Sequence, residues 1–415
     1  MARTQAAAWL DLDPADPLGL QTLPYGSYSA AHHAAQRRVG VAVGNRILDL
    51  TTAAERLLPA RAHLFAAGRL DPLLAEGLLA WAQVRADITA WLSQESYREA
   101  IEDLLIPASS AQLHLPFTVS DYADFYCSEQ HAANVGQMFR PGGQAGGRAL
   151  APNWRHLPVG YHGRSATVVA SGTPIRRPCG QFQPPDAAGP AYGPSQRLDF
   201  EAELGFVVGV ETTLGEPVPA GRFAEYVFGV CLLNDWSARD LQLWESTPLG
   251  PFCGKSFGTS VSPWIVPLAA LEAARLTPPS RGTPLLPYLT ETADWGLDIG
   301  FEVAINGHVV SRPPYAGMHW SPAQMLAHLT VNGAALRTGD LYASGTVSGA
   351  HREQRGCLLE LAWNGTDPLP LPDGSSRAWL HDGDVVRITA TAAGPDGSRV
   401  GLGEVHGQVI PAWPS

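Results

Sequence analysis

A chain of 415 residues is long enough for two domains and a sizeable buried core. Its net charge of −11 argues against a nucleic-acid partner or an anionic membrane surface, both of which select basic patches. With 43 glycines and 35 prolines, many turns and short strands are favoured over long helices, so the expected fold is mainly β with short helices (α+β).

From the start of the chain, Asp11, Asp13 and Asp16 interrupt what would have to be the apolar core of a signal peptide, and no apolar run reaches membrane-spanning length. The five cysteines (Cys127, Cys179, Cys231, Cys253 and Cys357) form no C-x-x-C pair. An odd, scattered set fits reduced thiols and a cytoplasmic protein better than a disulfide framework or a zinc site. Residues 39–50 predict two short strands about a Gly44-Asn45 turn. Leu73, Leu74, Leu78, Leu79, Trp81, Val84, Ile88 and Trp91 recur near helical spacing and predict a helix from Asp71 to about Gln94 that serves packing alone. At Leu113-His114-Leu115-Pro116 the texture changes from Ala/Leu-rich to Gly/Pro-rich, which sets a boundary between a domain over 1–115 and one over 116–415.

Past that boundary, Asp121-Tyr122-Ala123-Asp124-Phe125-Tyr126 leads into a helix from about Ser128 that carries His131. Residues 140–165 read as loop, 166–178 as a strand and a Gly172-Thr173-Pro174 turn, and 184–194 as a surface loop. Two strands follow, one at 198–208 and one at 227–233, with Asn234-Asp235 where the second stops. Residues 236–245 predict a short helix with Arg239 and Gln242 on one face, and 277–297 a Pro-rich excursion. Further strands are expected at 299–305, 341–346, 358–363 and 385–391.

Several of these stretches place charge where chains usually avoid it. On an apolar strand, period two turns Glu201 and Glu203 to one face, and Asp235 ends the neighbouring run. Carboxylates held together out of water repel, and a hard divalent cation bound by their oxygens relieves that cost. The plainer alternative is a solvated strand face beside a turn aspartate. His131 is the leading candidate base, near Asp124 and Tyr126 at the helix start, and many histidines are simply satisfied structural groups. A base needs an orienting acceptor, and Glu360, an acid inside an apolar stretch, needs a partner. Around Lys255 the spacing fails as a phosphate-binding loop, because Leu249 stands where glycine is required. Gly254-Lys255-Ser256-Phe257-Gly258 formally matches a nucleophile elbow, which makes a serine esterase using Ser256 the alternative from another class, but nearby prolines oppose the strand–turn–helix context. Cys127, four residues before His131, is a further nucleophile candidate and a more natural small apolar filler.

Together, Asp121–Tyr126 with Gln130-His131-Ala132, Leu157-Pro158-Val159-Gly160-Tyr161-His162-Gly163-Arg164, Ser171–Pro178, Asn234-Asp235-Trp236-Ser237-Ala238-Arg239-Asp240 and Gly254–Thr259 closely resemble the fumarylacetoacetase family. The likeness also covers Leu23-Pro24-Tyr25-Gly26, so it spans nearly the whole chain. It implies a small SH3-like barrel followed by a larger β-rich roll, a homodimer, and hydrolysis of a carbon–carbon bond of 4-fumarylacetoacetate to fumarate and acetoacetate. By the same resemblance Asp124, Glu201, Glu203 and Asp235 would hold Ca²⁺ or Mg²⁺, and Lys255 (through its carbonyl) and Thr259 a second Mg²⁺. His131 would be the base oriented by Glu360. Tyr126, Arg140, Tyr161, Gln242 and Thr346 would touch the substrate, and Arg239, Gln242 and Lys255 would stabilise the oxyanion and leaving carbanion. One position departs: Ser246 stands where the family leads us to expect a substrate-contacting tyrosine, which leaves a related acylpyruvate or β-diketone hydrolase of different acyl preference as the near alternative.

Overall fold

The computed structural model describes residues 5–30, 36–139, 149–291 and 293–414. It is sheet-rich with short helices, as the composition implies. The largest sheet runs, edge to edge, through Leu105–Pro107, Arg46–Asp49, Arg38–Val43, Tyr25–Ala30, Trp264–Pro267, Val227–Asp235, Ala202–Val208, Leu341–Ala343, Tyr122–Phe125 and Gly160–His162. Strands from before and after residue 115 are therefore hydrogen-bonded into one sheet, through Tyr25 opposite Ile265 and Gly26 opposite Trp264. A second, five-stranded sheet is ordered His308–Ser311, Ile299–Ile305, Val385–Ala393, Arg399–Ile410 and Ile175–Arg176.

The central strands are buried on both faces, which explains their near-continuous apolar runs. Leu204, Phe206, Val230, Leu232 and Tyr342 pack into one core with Phe301, Ile388 and Val405 of the second sheet. Their neighbours Val207, Cys231, Leu233, Leu341 and Ala343 point the other way, into a core built with the N-terminal residues Tyr25, Leu73, Trp81 and Ile88. Alternation then fixes where the acids go. Asp235 shares the face of Cys231 and Leu233, Glu203 that of Val207, and Asp124 that of Tyr122, so three carboxylates on nearby strands converge at one end of one face.

Several local expectations are corrected. The helix expected over 71–94 is two, Asp71–Ala75 and Leu78–Ser93, because Gly77 takes φ +81° and breaks the run. The strand at 227–233 continues through Asn234 and Asp235, whose backbone pairs with Ser260 and Thr259. Gly160–His162 is a short strand opposite Phe125 to Ala123, and Ala191–Pro194 closes a hairpin with Cys179–Phe182, where loops were expected. Residues 358–361 form one helical turn in place of a strand. Cys357 pairs there with Glu201 in an isolated bridge, so the apolar run is buried without extending a sheet.

Candidate active site

Asp124, Glu203 and Asp235 come from strand ends, and Glu201 from the short link between Leu198–Asp199 and Ala202–Val208. The link is pinned by Glu201 N–H donating to Asn234 Oδ1 (3.1 Å) and by Asp235 N–H donating to the Glu201 carbonyl (3.2 Å). All four acids are buried, and one oxygen from each lies within 4.8 Å of the others.

Two cations partly compensate this charge. Lys255 Nζ reaches Asp235 Oδ2 at 2.8 Å and also contacts Glu201 Oε2. Arg239 NH2 lies 2.8 Å from Glu201 Oε1 and 2.8 Å from Asp199 Oδ2. Thr259 Oγ1 donates to Asp235 Oδ1 (2.8 Å) and Tyr161 OH to Asp235 Oδ2 (3.1 Å). Lys255 gets there because residue 254 is glycine: a Cβ on Gly254 would stand 2.6 Å from the Gln242 backbone nitrogen of the helix Arg239–Glu245. The glycine lets the loop lie flat on that helix, held by Gly254 N–H on Glu245 Oε1 (2.7 Å) and Ala238 N–H on the Gly254 carbonyl (2.8 Å).

The remaining imbalance is large. Burial, joined by the charge of Asp235, pushes Asp124 well above the usual carboxylate range, and burial with Asp124 and Glu201 does the same to Glu203. Burial also raises Asp235. Glu201 moves the other way: burial would raise it, but Lys255 and Arg239 outweigh that and hold it well down. Asp124 Oδ1 and both oxygens of Glu203 have no hydrogen-bond partner among the described residues. A buried acceptor left bare is costly, and hard anionic oxygens in this number suit an alkaline-earth cation better than zinc. The donor set fits a divalent cation.

Across the same cavity stands His131, on the helix Glu129–Phe139. Its Nδ1 lies 2.6 Å from Glu360 Oε2. Glu360 also accepts from Asn134 Nδ2 (2.7 Å), Ser348 Oγ (2.7 Å) and Cys357 Sγ (3.3 Å). Burial would raise the Glu360 carboxyl, but the His131 charge and these hydrogen bonds prevail and hold it at about 2. The carboxylate is thus ionised and committed to Nδ1, which leaves Nε2 as the ring nitrogen free to act on a water. Tyr126 packs edge-on to the imidazole, with ring centroids 5.1 Å apart.

The cavity holds about 490 Å³ and is lined by Asp124, Glu201, His131, Tyr126, Tyr161, Arg239, Gln242, Lys255 and Thr346. Thr346 Oγ1 is buried with no partner among the described residues, so it remains available to a ligand. Ser246 also lines it, at the end of the helix Arg239–Glu245, with its hydroxyl turned back onto the Gln242 carbonyl. Arg140 lies outside the described residues. Ser256 sits in a turn followed directly by the strand Thr259–Val261, and its hydroxyl bonds no histidine among the described residues, so the nucleophile-elbow reading fails on context. Residues that the sequence pattern did not single out are Asn134 and Ser348 on Glu360, and Asp199 on Arg239. Asp199 carried a signal, being two residues before Glu201 on the same apolar stretch; the other two carried none.

A histidine–carboxylate pair and a buried acidic cradle opening onto one cavity have the layout of a hydrolase that activates water beside a cation-binding cluster. Family models described as fumarylacetoacetase N-terminal and fumarylacetoacetate (FAA) hydrolase C-terminal match residues 21–116 and 121–410. The chain is 45% identical over 408 residues to the fumarylacetoacetase of Rattus norvegicus, covering 95% of this chain and 96% of that one. It is 44% identical over 408 residues to that of Homo sapiens, with the same coverage. Among solved structures, the fumarylacetoacetate hydrolase from psychrophilic Exiguobacterium antarcticum shares the fold, with a TM-score of 0.54 at 18% identity over 94% of this chain and 99% of that one. The chain belongs to the fumarylacetoacetase family, and it is a hydrolase.

Proposed function

We propose that the protein hydrolyses 4-fumarylacetoacetate to fumarate and acetoacetate. The observation that carries this reading is the His131–Glu360 pair facing the carboxylate cluster across one cavity, in a chain 45% identical to a fumarylacetoacetase. His131 takes a proton from water at Nε2 while Glu360 holds Nδ1–H and supports the imidazolium. The hydroxide adds to the ketone carbonyl of the fumaryl side. Arg239, Gln242 and Lys255 receive the oxyanion as hydrogen-bond donors already held in place. The carbon–carbon bond then breaks, its electron pair leaves on the acetoacetate carbon, and the imidazolium returns its proton there.

Asp124, Glu201, Glu203 and Asp235 would hold Ca²⁺ or Mg²⁺, which supplies Lewis-acid charge to the departing enolate. Tyr126, Tyr161, Gln242 and Thr346 would orient the substrate, consistent with their place on the cavity wall. A homodimer and a cytoplasmic setting belong to the same reading; they rest on the family resemblance and on five unpaired cysteines. The test is loss of 4-fumarylacetoacetate with and without chelator, and with His131→Ala. Turnover that survives chelation removes the cation from the reading, and turnover that survives His131→Ala within tenfold removes the base.

A further inference from the structure

One buried carboxylate outside the roles assigned above touches both halves of the site. Asp199 has no exposed surface. Its Oδ2 accepts from Arg239 Nε at 2.8 Å and lies 2.8 Å from Arg239 NH2. Its Oδ1 accepts from Leu358 N–H at 2.7 Å and Oδ2 from Leu359 N–H at 3.0 Å. These are the first N–H groups of the helical turn Leu358–Leu361, which carries Glu360 and whose N-cap residue, Cys357, offers no capping bond. Such groups have no partner within a helix and need one from outside.

We propose that Asp199 is a positioning residue that fixes Arg239 against the substrate cavity and, through the 358–361 turn, fixes Glu360 against His131. The inference rests on the functional reading above for the roles of Arg239 and His131. Among the described residues Arg239 has one other carboxylate within reach, Glu201 Oε1 at 2.8 Å. Without Asp199 the guanidinium would be drawn wholly onto Glu201 and would compete for an oxygen of the acidic cradle. With Nε tied to Asp199, NH1 remains turned to Gln242 Oε1 (3.2 Å) on the cavity wall. The residue type follows from counting donors. Phe200 N–H also donates to Oδ1 (2.8 Å), so Asp199 accepts from three backbone N–H groups and one guanidinium N–H. A carboxylate offers about four lone-pair sites, whereas the single oxygen of an amide offers two. Asparagine would leave donors unmet and set its NH₂ against one of them.

A carboxylate that only ties two chain segments together would make the same contacts, so the test is a double-mutant cycle on the cation-loaded full chain. Asp199→Asn is expected to lower kcat by about a hundredfold, the scale of losing one oxyanion donor. In an Arg239→Gln background the further loss from Asp199→Asn should shrink to about tenfold, because the part carried by Arg239 is already gone and only the part carried through Glu360 remains. Hydrogen exchange at the amides of Leu358 and Leu359 should speed up in Asp199→Asn and stay unchanged in Arg239→Gln. Losses that multiply in full, or an Asp199→Asn enzyme within about threefold of wild-type kcat, overturn the proposal. Where Asp199→Asn does not fold, Asp199→Glu keeps the charge on a longer arm. A lowered kcat at unchanged Tm then supports the proposal, and an unchanged kcat overturns it. A wild-type chain that does not hydrolyse fumarylacetoacetate refutes the functional reading alone; exchange at 358–359 still decides the structural link, and no change there in Asp199→Asn overturns it.

Discussion

Replacing Glu360 by glutamine keeps the shape of the side chain and removes its charge, so it isolates what the carboxylate does for His131. In the native site Oε2 sits 2.6 Å from His131 Nδ1, and both Ser348 and Cys357 donate to the same oxygen. Asn134 donates to Oε1, which an amide oxygen can still satisfy, so glutamine would turn its NH₂ toward the histidine. Nδ1 must then accept, the ring proton moves to Nε2, and the nitrogen that should take a proton from water is already protonated. The expected fall in kcat is about 10³–10⁴-fold, the scale seen when an orienting carboxylate becomes an amide. Stability falls too. Against burial, the His131 charge and the hydrogen bonds from His131, Asn134 and Ser348 hold the folded carboxyl at about 2 against an ordinary 4.5, so folding favours its ionised form. Because the folded value is the lower one, that contribution is complete above pH 4.5 and is lost as pH falls through about 2. Glu360→Gln should therefore lower Tm by a few degrees at pH 7, and the gap should narrow below pH 4.5. Steady-state loss of fumarylacetoacetate and thermal melts over pH measure both. A variant that keeps a tenth or more of wild-type kcat would refute the tautomer argument.

Asp124 and Glu203 are raised well above their ordinary values by burial, so protons and a cation compete for their oxygens. Raised carboxyls stabilise the metal-free fold at low pH and lose that contribution as pH rises; the rise in Tm on adding Ca²⁺ or Mg²⁺ should therefore be larger at pH 8 than at pH 5.5, and an equal rise at both would contradict this. Ser256→Ala should leave kcat within about twofold, since a positioned catalytic group would be worth about 10²-fold or more; a dead variant would revive the esterase reading. Ser246 lines the cavity with its hydroxyl spent on its own helix, so Ser246→Tyr should place a ring over the opening and lower KM for fumarylacetoacetate with little change in kcat. A large change in kcat at constant KM would instead put residue 246 in the chemistry.

Legibility of the site in the sequence followed the range of the contacts that build it. Glu201, Glu203 and Asp235 stood out because period two puts both glutamates on one face of an apolar run and Asp235 ends the neighbouring run; a solvated face beside a turn aspartate was the plainer alternative, and the structure instead buries them together. The pairing of His131 with Glu360 spans 229 positions, and residues alone could propose it only as one acid in need of a partner and one base in need of an acceptor. The 358–361 turn reads as a strand in the sequence because Leu358, Leu359, Leu361 and Ala362 around a single glutamate satisfy either period; what settles it is Asp199, 159 positions away, accepting the N–H groups that a strand would have given to a ladder. Asn134 and Ser348 were invisible for a related reason. A short polar side chain near a helix or loop has ordinary local duties, and nothing in its neighbourhood of the chain says that it will meet a carboxylate more than two hundred positions away, as Asn134 does, or twelve away across a reversal, as Ser348 does. The same logic explains Asp199. Its value to the site lies in joining two elements that the chain keeps apart, so its sequence context marks it only as an acid on an apolar stretch, while its four accepted hydrogen bonds give that acid a reason to be there.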